Sequence, residues 1–119
     1  MSPLPAREQA KLLERLRKIC LALPDTTEKL SHGEATFFHN KRSFLNMDTY
    51  HHGEDRFAAW VVAPLGAQDT LVRSDPERFF VPPYVGYRGW VGARLDRDPD
   101  WDEIARLVAD AHALVGRKR

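Results

Sequence analysis

The chain is poor in the features that most readily announce a function. Cys20 is the single cysteine in 119 residues, so no intramolecular disulfide can form and a disulfide-stapled secreted domain is excluded. No segment approaches the roughly 18 consecutive apolar residues needed to span a bilayer, and the opening MSPLPAREQ has no basic region followed by an apolar run. These absences lead us to expect a cytoplasmic protein without membrane association. Charge of one sign is also missing. With 18 basic and 17 acidic residues the formal charge is +1, so no global field draws the molecule to nucleic acid, and any such contact must come from a local patch. There is no Walker loop, no G-x-S-x-G and no H-E-x-x-H. No nucleophile, base and orienting group stand together. The expectation is a protein that is not an enzyme and has no cofactor and no metal.

What is present suits a packed domain. Hydrophobic residues make up 43% of the chain and charged residues 29%, a balance that argues against disorder and allows one core over residues 1–119 as a single domain. Leu12, Leu13, Leu16, Ile19, Cys20 and Leu23 recur at helical steps over residues 5–23, and Pro24 stops the helix. Extended segments follow at 27–32, 35–39, 43–48 and 56–63; the last, RFAAWVVA, is apolar on both faces and reads as central. A short helix over 67–73 precedes a further turn led by Pro76, then extended pieces at 79–81 and 89–95. In the latter, Val91, Ala93 and Leu95 share one face and Trp90, Gly92 and Arg94 the other. Asp100 with Glu103 signals the start of a closing helix, Trp101, Ile104, Leu107, Val108, Ala111, Leu114 and Val115 form its buried stripe, and Arg117, Lys118 and Arg119 complement its negative end. The predicted fold is α+β, a two-layer sandwich with an antiparallel sheet and helices on one face, in the order α-β(3-4)-α-β(2)-α.

The stretch 76–96, PERFFVPPYVGYRGWVGARLD, concentrates the special backbone chemistry. Between its strands lie Pro82, Pro83, Tyr84, Gly86, Tyr87, Arg88 and Gly89. Glycines let a backbone approach a ligand, prolines stiffen the arms, and Tyr with Arg offers stacking faces and phosphate-pairing donors. An equally weighted reading is a rigid strand connection. A second basic feature is the turn His39, Asn40, Lys41, Arg42, which can grip phosphate or can be simple solvated charge. Trp60 and Trp90 read as core by default, or else as an exposed face for self-association. His32 beside Gly33 can titrate, although a capped turn explains it as well. His51, His52, Glu54 and Asp55 cluster without metal-ligand spacing. Cys20, on the inner stripe of the first helix, reads as an inert thiol.

The runs S-H-G-x-x-T-F at 31–37, Lys41 before Phe44, and P-Y-V-G-x-R-G-W-V at 83–91 resemble the MmcQ/YjbR-like family of small bacterial proteins. The resemblance covers nearly the whole chain. It implies an α+β fold with two protruding loops likened to a double wing, and members are usually labelled DNA-binding. Carried onto this chain, the wings are 39–42 and 82–89. The leading expectation is therefore a DNA-binding protein with phosphate or stacking contacts from His39, Lys41, Arg42, Tyr84, Tyr87 and Arg88. With a net charge of +1 its binding should be weak and salt-sensitive. One alternative is a small-molecule or phosphate-ligand module with the 82–90 loop over a pocket of His32, Tyr84 and Trp90. The other is an interaction module using the Trp60 and Trp90 face, the chain being a monomer or a homodimer.

Overall fold

The computed structural model describes residues 3–50 and 55–117. The first helix, α1, spans Ala6–Leu21 and buries Leu16 and Cys20. Pro5 stands at its N-cap with φ −57°, a value the pyrrolidine ring already imposes. The helix stops two residues short of Leu23, because the proline at 24 disfavours helical geometry just before it. The strands are β1 (Thr26–Ser31), β2 (Glu34–His39), β3 (Arg42–Thr49), β4 (Phe57–Val61), β5 (Phe79–Phe80) and β6 (Val91–Arg94), with α2 (Ala67–Ser74) between β4 and β5 and α3 (Trp101–Gly116) closing the chain. Asp100 caps α3 as its spacing predicts, its carboxylate accepting from the amides of Asp102 at 3.1 Å and Glu103 at 3.2 Å.

The six strands form one sheet in the order β1-β2-β3-β4-β6-β5, antiparallel throughout. This is the expected α+β architecture. RFAAWVVA does supply an inner strand, buried at every position of β4. The extended piece predicted at 79–81 shrinks to two residues, and β6 starts only at Val91, since Gly89 turns the chain with φ +89°. The Pro76 segment makes one turn, closed by the Phe79 amide on the Asp75 carbonyl at 3.0 Å.

Alternation divides the side chains between two unequal cores. Phe37, Leu45, Met47, Phe57, Ala59, Val61, Val91 and Ala93 point to the helical layer, where they meet Leu16 and Cys20 of α1 and Ile104, Val108 and Ala111 of α3. On the opposite face Ala58, Trp60, Phe80 and Trp90 make a second, small cluster. Its keystone is Gly92. A Cβ there would lie 2.3–2.6 Å from three ring carbons of Phe80, so glycine lets the Phe80 ring lie flat on β6. Trp60 and Trp90 are 6% and 7% exposed, which makes them core residues, as their default reading had it. Among the described residues no helix is long and apolar enough to cross a membrane.

Candidate ligand-binding cleft

The helices cover one face of the sheet; among the described residues the other is covered over β4, β6 and β5, by the aromatic cluster and the chain from 81 to 90. Where that cover ends, above β2 and β3, a cleft of about 640 Å³ remains, within the usual range for small-molecule sites. Its floor follows from strand alternation. Glu34, Thr36 and Phe38 of β2 and Ser43, Asn46 and Asp48 of β3 line it, and across the ladder Asn46 lies between Thr36 on β2 and Trp60 on β4. The 81–90 connection forms the wall, contributing Tyr84, Val85, Arg88 and Trp90, and His32 borders the far end.

Each wall element is held by identifiable interactions. The side-chain amide of Gln68, on α2, donates to the Gly86 carbonyl at 2.8 Å and the Trp90 carbonyl at 2.6 Å, fixing the connection at both ends of its short 3-10 turn, Gly86–Arg88. Gly86 is required by packing, because a Cβ would come within 2.5 Å of Val81 Cγ1. The β1–β2 connection is the two-residue turn His32-Gly33, both residues with positive φ (54° and 81°), as twisted hairpins favour. Tyr84 also takes a left-handed backbone, φ 68°. Two bulky residues in that conformation therefore stand at the border of one cleft, the kind of local strain that gathers at functional sites.

The acids of the floor are deeply set. Asp48 is 1% exposed. Glu34 accepts from the Thr49 amide at 2.8 Å and from the Thr49 hydroxyl at 2.9 Å, which fixes the plane of its carboxylate. Arg88 is exposed at the rim, and Tyr84 and Tyr87 are 69% and 87% exposed.

The predicted site residues thus fall into two groups. His32, Tyr84, Arg88 and Trp90 come together around the cleft. Tyr87 stands beside it on the same connection. The turn at 39–41 leaves the sheet at the same end as the 81–90 connection, because Phe38 pairs with Ser43, Leu45 with Val61, and Val61 with Val91. Lys41 and Arg42 are exposed there. His39 is directed to the helical side instead. Its ring stacks on that of His112, centroids 3.6 Å apart and planes within 7°, and its Nδ1–H donates to the His112 carbonyl at 2.8 Å. The His112 Nε2–H donates in turn to the Pro24 carbonyl at 2.7 Å. Gly116 makes room for the His39 ring, since a Cβ would lie 2.5 Å from His39 Cε1. His39 thus anchors the hairpin to α3 and has its polar edge engaged in the fold.

Phe38, Glu34, Asn46 and Asp48 were not singled out in the sequence. A signal for them existed: polar residues at alternate positions of strands whose other positions are apolar. It marks a face, and only the ladder register brings that face beside Trp60 and under Tyr84. Cys20 is buried on the inner face of α1, and burial pushes its thiol up to about 12. His51, His52, Glu54, Lys118 and Arg119 lie outside the described residues. Among the described residues no group of three His, Cys, Asp or Glu side chains is placed to hold a metal ion.

Residues 21–114, from the end of α1 through most of α3, match the family profile described as YjbR. No curated protein and no solved structure matches the chain.

Proposed function

The chain belongs to the YjbR family, and we propose that it works as a cytoplasmic binding module whose ligand lies in the cleft beneath the 81–90 connection. The carrying observation is convergence: Tyr84, Arg88 and Trp90 from one connection and His32 from a distant turn border a single cavity with polar groups at its floor. Concave sites with apolar walls and a few directed polar groups are where small ligands bind. Arg88 at the rim supplies a forked donor for a phosphate or carboxylate. Tyr84 and Trp90 supply faces for a planar group. The lone buried thiol suits a reducing compartment.

The test is a thermal-shift screen of planar anionic compounds. A ligand that binds only the folded state stabilises it by about 2.7 kcal/mol at one hundred times its Kd. Hits should lose their effect in Tyr84→Ala and Arg88→Ala, whose side chains are exposed. Hits that keep their full shift in both variants would locate the ligand elsewhere.

A DNA-binding reading is favoured by a separate observation. The Lys41 turn and the Tyr84–Arg88 connection leave the same end of the sheet, so both can meet one duplex, with Lys41, Arg42 and Arg88 toward phosphates and Tyr84 or Tyr87 available for stacking. His39 is left out of this set because its ring is engaged with His112. The near-neutral charge makes such binding weak.

A further inference from the structure

We propose that one end of the molecule, where Leu65, Val81, Tyr84 and Tyr87 stand beside Lys41 and Arg88, rests on the surface of an anionic phospholipid bilayer. The ground for it is where exposed apolar surface gathers. Among the described residues six large apolar or aromatic side chains are exposed, and Leu65, Val81, Tyr84 and Tyr87 belong to just two connections. Val61 at the end of β4 pairs with Val91 at the start of β6, so the chain after β4 and the chain before β6 meet the sheet at the same end. Gln68 ties the two together through the Gly86 and Trp90 carbonyls, and Val81 lies against Gly86. Single exposed apolar side chains are ordinary, whereas a gathered set marks a contact surface. Leu65 is the clearest member. Its turn is closed by the Ala67 amide on the Pro64 carbonyl at 3.0 Å, and Gly66 takes the positive φ of a type II turn, 88°. A rigid turn thereby holds Leu65 fully in solvent, where the fold gains nothing from a leucine.

Charge selects the occupant. The connections 39–42, 62–66 and 81–90 carry Lys41, Arg42 and Arg88 and no acid. Asp25, whose carbonyl accepts from the Asn40 amide at 2.9 Å, adds one acid beside the first of them, and Arg117, next to the Gly116 that meets the His39 ring, adds a cation. At the opposite end of β6 the connection 95–100 carries Asp96, Asp98 and Asp100 against Arg97. A nearly neutral chain is thus polar along its strands, and the field of an anionic surface turns the apolar end toward that surface. A second copy would bring the same cations and be repelled. Apolar side chains on separate turns, with tyrosines among them, suit a bilayer interface, where amphipathic rings settle and cations meet headgroups. The lack of a spanning segment does not bear on this, because a peripheral contact needs none. The inference goes beyond the cleft reading and uses no group of the cleft floor.

Co-sedimentation of the full chain with vesicles of phosphatidylcholine, and of phosphatidylcholine mixed with phosphatidylglycerol, tests the proposal at low and at physiological salt. Binding should require phosphatidylglycerol. The Lys41→Ala/Arg88→Ala variant should weaken it about twenty-five-fold, at about fivefold for each cation near such a surface. Leu65→Ser, at a side chain outside the fold, should weaken it about tenfold, as an inserted leucine requires. An environment-sensitive dye on Leu65→Cys labels that position alone, because Cys20 is buried, and its emission should move to the blue on the mixed vesicles. The same dye on Leu30→Cys, exposed toward the other end of the sheet, should not move. Absence of binding at low salt, equal binding to phosphatidylcholine alone, or equal shifts at the two dye positions overturns the proposal. Binding that Leu65→Ser leaves unchanged also overturns it, since the end then holds polyanions by charge and inserts nothing. The thermal-shift screen on the cleft stands or falls independently of each of these results.

Discussion

His32 is the residue at which local preference and observed structure disagree most usefully. The two-residue turn between β1 and β2 holds both central residues at positive φ, and the sequence that best satisfies such a turn is Asn-Gly. The left-handed backbone costs an ordinary L residue roughly 1–2 kcal/mol, less for asparagine, whose short side chain bonds locally. His32 also faces the cleft, which gives a reason for an imidazole to stand where an amide would serve the turn better. His32→Asn should accordingly raise stability by about 0.5 kcal/mol and weaken ligand binding in the cleft. Urea midpoints with an unchanged slope, paired with a ligand titration, check both halves. A loss of stability would mean that the contact of His32 Nδ1 with the Ser31 hydroxyl, 3.2 Å, contributes more than the turn relief. The case for His32 as a ligand group would then lapse.

At the scale of elements, the helix α2 holds the cleft wall in position. Its Gln68 side chain donates twice to the 81–90 connection, and truncating it leaves two carbonyls short of a donor while the main core is untouched. Gln68→Ala should cost about 1–3 kcal/mol and should raise hydrogen exchange at the Gly86, Arg88 and Gly89 amides far more than at the buried stripe of α3. Uniform acceleration across the molecule would show that the connection opens only by global unfolding. Gln68 also marks the limit of what the chain discloses. The helices, strands and their buried faces were legible because apolar periodicity is a local property: Ile104, Leu107, Val108 and Ala111 write the face of α3 in three steps, and Val91 with Ala93 that of β6. Asp100 likewise announced its cap. The fork from Gln68 to Gly86 and Trp90, the stack of His39 on His112 and the burial of Asp48 join residues far apart in the chain, and nothing in the spacing encodes them. His39 was misleading for that reason. Beside Lys41 and Arg42 it looks like part of a basic tip, yet β2 alternation turns it toward α3 and Gly116 admits it there.

The whole molecule is nearly neutral, with 18 basic and 17 acidic residues, and several of its arginines are already paired with acids. Arg17 is forked to Glu28 at 2.6 and 2.8 Å, and Arg94 to Asp96 at 2.9 Å from each of two nitrogens. Such pairs hold α1 on β1 and close the end of β6, and they subtract cations from any long-range field. What the two loops bring to a duplex is local: Lys41, Arg42 and Arg88 at one end of the sheet. Three phosphate contacts set a salt dependence of about −2.7 in log affinity against log salt, a fall of roughly forty-fold between 50 and 200 mM. Fluorescence anisotropy with a labelled random duplex measures that slope. The Lys41→Ala/Arg88→Ala double variant should flatten it to about −0.9, the value for one remaining contact. A slope much steeper than −2.7 would mean that cations beyond the two loops meet the phosphates, moving the duplex off this end of the sheet. A wild-type slope near zero, or one unchanged in the double variant, would separate the two loops from nucleic acid backbone altogether. The cleft, whose floor carries Glu34 and Asp48 and whose rim carries Arg88, would then be left as the binding surface.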